Sequence, residues 1–196
     1  MNLINSQQDL DIAKNQIEVM ATTKNFKVFY EAWENYLIRI ERSWERAERI
    51  LRDRKGIQQW IKPYKVLRKK DPLLKYLKQA RNAETHAVTN TMGLDTKIAV
   101  KDKLGRPFTV RNIKTSIENK TLNIDIDTGY DALFLYEANV IPSVPKFTKI
   151  VNRGKRYNPP VTHLGNDVGN IHPVDAAKNG LMFYQAFLAE AEKKYF

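Results

Sequence analysis

The stretch Asp71-Pro-Leu-Leu-Lys-Tyr-Leu-Lys-Gln-Ala-Arg-Asn-Ala-Glu-Thr-His86 opens with a complete helix-start signal and ends in an arginine, an asparagine and a histidine. Asp71 offers a carboxylate to the first free amides, and Pro72 fits the first helical turn, where its missing N–H costs nothing. At about 100° per residue, Leu73, Tyr76, Leu77, Ala80, Ala83 and Ala87 fall on one arc, which must pack inward. Lys75, Lys78, Arg81, Asn82, Thr85 and His86 fall on the opposite arc, with Arg81 and His86 at its edges, roughly 140° apart. One face of the helix is for packing. The other carries a titratable imidazole and a permanent cation.

The residues leading into this helix are basic. Between Arg52 and Arg81 there are eleven basic residues and two acidic ones, Asp53 and Asp71. Arg68, Lys69, Lys70, Lys75 and Lys78 form the part of that stripe closest to Arg81, and Trp60 and Tyr64 lie among them as rings that bases can stack on. A phosphate backbone is the natural partner for such a surface. Ordinary surface lysine is the plainer alternative for any one of these residues. The expectation is RNA bound through Arg68, Lys69, Lys70, Lys75 and Lys78.

Arg81-Asn82-Ala83-Glu84-Thr85-His86 resembles the defining motif of the HEPN superfamily: an Arg, a polar neighbour (often Asn), and a His four to six positions on, carried on a late helix of a small bundle. The resemblance covers that motif and the helical character of residues 1–92, and says little about residues 93–196. It implies a metal-independent endoribonuclease, acting as a toxin or a defence effector, with Arg81, Asn82 and His86 as catalytic residues. It also implies a homodimer in which two motifs face each other, and a possible antitoxin or regulatory protein. Some HEPN proteins have no nuclease activity, so a non-catalytic dimeric module that binds RNA or protein is the alternative. An assembly protein in which the Arg–His pair is incidental is a third.

The chemistry is consistent with the residue types. Cleavage without a metal uses the RNA's own 2′-hydroxyl as nucleophile, and needs a proton acceptor, a proton donor and a cation on the phosphate. Imidazole, with an ordinary pKa near 6.5, serves both proton roles close to neutral pH. Arg supplies a charge that cannot be lost and a fork that matches phosphate oxygens. Asn82 can orient either group. One His per motif is short of two proton roles, which is why a second copy across a dimer interface is expected.

Composition narrows the class. The chain has 196 residues, a formal net charge of +11 and no cysteine, so disulfides, thiolate catalysis and cysteine zinc sites are excluded. At 42% hydrophobic residues it can bury a core. The N-terminus lacks the basic start and apolar run of a signal peptide, and a cytoplasmic protein without membrane contact is expected. His163, Asp167, His172 and Asp175 lie close in sequence but match no standard ligand spacing, so neither metal nor cofactor is expected. Asp125 and Asp127 share one side of a strand, which reads as an exposed face more than as a carboxylate pair.

The expected fold class is α+β: an N-terminal helical bundle, a small antiparallel β lobe, and a C-terminal helix that packs back on the bundle. Residues 1–92 form the bundle, 93–172 the β-rich lobe and loop, and 173–196 the last helix. Within the bundle, helices are expected over 6–20 and 25–52. In the second, Phe26, Phe29, Tyr30, Trp33, Leu37, Ile40, Trp44, Ala47 and Leu51 recur at three-and-four spacing, as core or as a dimer seam. Its outer face, with Glu41, Arg42, Glu45, Arg46, Glu48, Arg49 and Arg52, reads as a solvated row of ion pairs. Residues 57–70 read as a connector whose short helix Pro63 ends. Strands are expected over 96–101, 108–116, 121–127 and 132–140, with Pro142 and Pro145 closing the lobe. Residues 151–173 read as loop.

Overall fold

The computed structural model describes residues 2–86, 90–102, 104, 107–108, 112–118, 121–127 and 135–196. Among these residues, five helices and small antiparallel sheets make it α+β, as expected. The helices are α1 (Ile4–Thr22), α2 (Phe26–Leu51), α3 (Ile57–Lys70), α4 (Pro72–His86) and α5 (Pro173–Tyr195). The strands are β1 (Met92–Asp102), β2 (Pro107–Phe108), β3 (Asn112–Glu118), β4 (Thr121–Asp127), β5 (Leu135–Phe147), β6 (Ile150–Asn152), β7 (Lys155–Tyr157), β8 (Thr162–His163) and β9 (Asn166–Asp167). They divide into two compact units: one of residues 1–93 and 145–196, the other of residues 94–144. Residues 145–172, which the sequence pattern places with the β lobe, therefore belong to the helical unit.

Helix α2 is the centre of the helical unit. Asn25 starts it by accepting from the amides of Lys27 (2.9 Å) and Val28 (3.3 Å), two donors the helix cannot satisfy itself. Its apolar stripe of Phe29, Trp33, Tyr36, Leu37, Ile40, Trp44, Ala47 and Leu51 is buried. Helices α1, α4 and α5 all pack on α2. The apolar repeat of α5 (Ala177, Leu181, Tyr184, Phe187, Leu188, Ala191) is buried likewise, so this helix does return to the bundle.

Two expectations fail in α3 and in the segment after β5. Residues 57–70 form one continuous helix with Pro63 inside it. Pro63 removes one backbone hydrogen bond, at a cost of about 3 kcal/mol, but both halves are held by packing. Ile57 and Ile61 are buried, and the rings of Trp60 and Tyr64 lie 5.6 and 5.1 Å from that of Phe187. Tertiary burial overrides the local break. The stretch 151–173 is not plain loop either. It holds the hairpins β6–β7 and β8–β9, whose turns Arg153-Gly154 and Leu164-Gly165 have positive φ at both central residues. That is the hairpin turn that matches strand twist.

Asp71 joins α3 to α4. Its backbone is extended (φ −63°, ψ 126°), as the following Pro72 demands, and its N–H closes α3 on the Leu67 carbonyl at 2.8 Å. Its carboxylate accepts from the Leu74 amide at 2.9 Å, so the expected cap is present. The same carboxylate accepts from the Leu164 amide (2.7 Å) and lies 3.0 Å from His163 Nδ1. One residue ends a helix with its amide, and its carboxylate begins the next helix and fastens a hairpin tip there.

In the second unit, β3 and β4 form a hairpin that sets Ile113 opposite Ile126 and Ile117 opposite Leu122. Asp125 and Asp127 stand opposite Lys114 and Asn112. The expected strand 108–116 is two strands, β2 and β3; residues 109–111 lie outside the described set. A three-stranded sheet has the order β2–β1–β5. Pro142 and Pro145 do not end β5, which runs on to Phe147. Among the described residues β5 is an edge strand, a position whose outer side tolerates proline.

At Gly180 α5 comes close to α4 and α2: an added Cβ would meet Leu77 Cδ1 at 2.5 Å and Tyr36 Oη at 2.6 Å. Tyr36 cannot swing away: it is fully buried, and its hydroxyl donates to the Ala177 carbonyl at 2.8 Å. Gly180→Ala should therefore destabilise the fold by about 1–3 kcal/mol despite alanine's better helix propensity. The measurement is the midpoint of urea unfolding, which should fall with an unchanged slope.

Candidate functional site: the clefts around Arg81

The motif helix behaves as its sequence requires. Leu73, Tyr76, Leu77, Ala80 and Ala83 are buried, and Lys75 is exposed; Ala87 lies outside the described residues. Arg81, Asn82 and Glu84 are half-buried. His86 is the last residue of α4, and its side chain lies outside the described set. The Arg81 Nη1 donates to Asn82 Oδ1 at 3.4 Å, a long contact that still links the two motif residues.

Arg81 points toward α2 rather than into open solvent. It lines a cleft of about 450 Å³ together with Glu31, Glu34, Asn35, Ile38 and Glu84. It also lines a second cleft, of about 370 Å³, with Ile38, Arg42, Glu45, Arg46 and Arg49. Ile38, about half exposed, is shared by both. Arg81 thus stands at a charge boundary, with carboxylates on one side and guanidinium groups on the other.

The acidic side is tightly organised. Glu84 Oε1 accepts from the Tyr30 hydroxyl at 2.5 Å, from Thr91 Oγ1 at 2.6 Å and from the Thr91 amide at 3.2 Å. Thr91 Oγ1 in turn accepts from the Trp33 indole at 3.0 Å. Tyr76 Oη lies 3.0 Å from the Thr91 carbonyl and 2.7 Å from that of Thr148, so the chain is clamped just beyond the motif. Three donors thus fix the Glu84 carboxylate in place. Burial first, and then the hydrogen bond to Glu84 and its charge, holds the Tyr30 hydroxyl well above the ordinary phenol range. Burial first, and then Glu84, raises the Glu34 carboxyl above the usual carboxylate value.

The basic side was not visible as a site in the sequence. The face of α2 that reads as solvated ion pairs is split by the fold. Glu41 is buried and faces α3, whereas Arg42, Arg46 and Arg49 form the wall of the cleft. Behind them, on α1, Asp9 is 1% exposed. Its carboxylate lies 3.0 Å from Arg39, 2.7 Å from Arg46 and 3.8 Å from Arg42. Arg46 also donates to the Asn5 carbonyl at 3.2 Å. The signal in the sequence is the spacing of Arg39, Arg42, Arg46 and Arg49, which puts four arginines on one helix face.

The expected lysine stripe divides too. Lys69 and Lys70 are exposed at the end of α3, Lys75 is exposed with its ammonium 5.6 Å from the Tyr157 ring, and Lys78 is half-buried. Arg68 does not belong with them. It is 6% exposed, and its Nη2 donates to both carboxylate oxygens of Glu41 at 2.6 Å. Its Nε donates to the Tyr184 hydroxyl at 3.2 Å, and its guanidinium lies 4.2 Å from the Trp44 ring. Helical spacing turns Arg68 inward with Ile57, Ile61 and Tyr64, so it is a core residue and not a phosphate contact. Trp60 and Tyr64, expected as stacking rings, are half-buried against Phe187, Phe183 and Tyr195 and hold α3 to α5.

The loop histidines have structural partners. His163 is held by Asp71. His172 starts α5, its Nδ1 accepting from the Val174 amide at 3.2 Å, and its edge meets the Phe29 ring. Burial lowers its pKa, which agrees with a ring that must stay neutral to accept. Among the described residues, no three His, Asp or Glu side chains are grouped to hold a metal. Among the same residues, no helix is long and apolar enough to cross a membrane. No protein family, curated protein or solved structure matches this chain.

A core role and a phosphate-binding role for Arg68 predict different losses. Arg68→Met leaves the Glu41 charge buried without its partner and should cost about 3–5 kcal/mol of stability. Arg68→Met combined with Glu41→Met should recover most of that loss, because no uncompensated charge remains. Urea denaturation of the two variants beside wild type measures both effects.

Proposed function

We propose that this chain is a metal-independent endoribonuclease of HEPN type, with Arg81, Asn82 and His86 as its reacting set. The supporting observation is the position of Arg81: half-buried, beside Asn82, at the meeting point of two clefts, with Arg42, Arg46 and Arg49 along one of them. A phosphate that reaches Arg81 meets a fork already confined by packing, so little side-chain freedom is lost on binding. Glu31, Glu34 and Glu84 repel it from the other cleft, which fixes the side of approach.

In this reading the 2′-oxygen attacks the adjacent phosphorus while a neutral imidazole takes its proton. The bond from phosphorus to the 5′-oxygen breaks, and that oxygen receives a proton from an imidazolium. Arg81 bears on the charge that develops on the phosphate oxygens. His86 fills one proton role, and His86 of the partner subunit fills the other in a two-fold homodimer. Toxin or defence activity on cellular RNA, under the control of a protein inhibitor, is the biological role this chemistry suits.

The test is cleavage of end-labelled RNA in EDTA. Cleavage should persist without divalent cations and leave a 2′,3′-cyclic phosphate and a 5′-hydroxyl. DNA and 2′-O-methyl RNA should resist. His86→Ala and Arg81→Ala should each lose roughly a hundredfold or more in rate. No cleavage, cleavage retained by both variants, or 5′-phosphate products would overturn the reading. In the first case the non-catalytic binding module takes its place.

A further inference from the structure

The proposed reaction leaves open where the rest of the RNA strand lies. The sequence offers the Lys69–Lys70 stripe, but among the described residues neither of the two clefts around Arg81 is lined by those lysines. About 120° of α4 separates Arg81 from Lys75. The cleft lined by Arg42, Arg46, Arg49 and Arg81 does open on the motif, and it brings four guanidinium groups together against one lining carboxylate, Glu45.

Buried Asp9 makes this more than a cluster of surface charge. It contacts Arg39, Arg42 and Arg46 from beneath and can neutralise only one of them. Of the cleft arginines, Arg42 and Arg46 are held in place by this carboxylate, which solvent cannot reach. Exposed arginines normally lose rotamer freedom when they bind, and here part of that cost is already met by the fold. Arg42 to Arg49 covers about 10 Å of helix, room for more than one phosphate. Ile38 gives an apolar contact for the sugar face where the two clefts meet.

We propose that the Arg42–Arg46–Arg49–Arg81 cleft is the seat of the RNA backbone, and that single-stranded RNA reaches the motif along α2 rather than along the lysines of α3 and α4. The inference rests on the nuclease reading only for what happens at Arg81. The binding itself stands on the cleft. The strand runs from the arginine wall toward Arg81 and stops at the carboxylates of Glu31, Glu34 and Glu84. Contacts to phosphate give affinity without sequence preference.

The experiment is fluorescence anisotropy with a labelled single-stranded 2′-O-methyl RNA, which cannot be cut, over a series of salt concentrations. Arg42→Gln with Arg49→Gln should bind roughly thirtyfold more weakly. The slope of log affinity against log salt should be shallower by about 1.4, as expected for two lost phosphate contacts on a single strand. Lys14→Gln with Lys24→Gln, exposed substitutions on α1 and in the link to α2, removes the same two charges and should bind like wild type. Far-ultraviolet circular dichroism confirms that each variant is folded. Wild-type affinity in the arginine variant, or a larger loss from Lys69→Gln with Lys70→Gln, would overturn the cleft as the binding path. Cleavage that depends on His86 but binding indifferent to Arg42 and Arg49 would overturn this inference alone. Arginine-dependent binding without any cleavage would overturn the nuclease reading alone.

Discussion

The buried ion pair between Arg68 and Glu41 is the constraint around which the helical unit is arranged. A guanidinium and a carboxylate out of water are tolerable only when paired and hydrogen-bonded, and here Tyr184 completes the set. Because the three groups come from α3, α2 and α5, the positions of those helices are mutually fixed. Three residues after Arg68, Asp71 turns the chain into α4. The direction of α4 then follows from its cap, from Leu77 against Gly180, and from Glu84 bonded to Tyr30 and Thr91. Arg81 faces α2 as the outcome of these contacts.

The parts of the fold that were legible in the sequence are those where local pattern and tertiary burial agree. The cap at Asp71, the inward arc of α4 and the aromatic stripe of α2 are such cases, because period and polarity point the same way. Pro63 is the opposite case. Its local cost is real, and only the burial of Ile57, Ile61 and the Trp60 and Tyr64 rings against α5 carries the helix through it. The hairpins after β5 were hidden for a different reason. Their turns place Arg153 and Leu164 at positive φ, where Asn or Gly would have announced the turn.

Charge was the hardest feature to read. Arg68 and Arg42 look alike in sequence, each basic and each among other charges. Arg68 is core because it falls on the apolar face of α3, where a buried Glu41 awaits it. Glu41 itself hides in an alternating row of Glu and Arg that suggests solvent on all sides. The arginines of α2 gain their meaning only when α1 brings Asp9 beneath them and α4 brings Arg81 across from them. Long-range placement decides these roles, and a linear count of charges cannot supply it.

The two sides of Arg81 divide the labour of the proposed site. The acidic side is rigid: Glu84 is held by three donors, and burial, with Glu84 after it, raises both the Tyr30 and Glu34 pKa values. The basic side presents guanidinium groups anchored from behind. The most direct test of this division is nuclear magnetic resonance of the arginine Nε–Hε groups during titration with a non-cleavable RNA. Saturable shifts at Arg42, Arg49 and Arg81, with Arg68 unmoved in its pair with Glu41, are the predicted result. An unperturbed Arg81, or changes confined to residues around Lys69 and Lys70, would contradict the account.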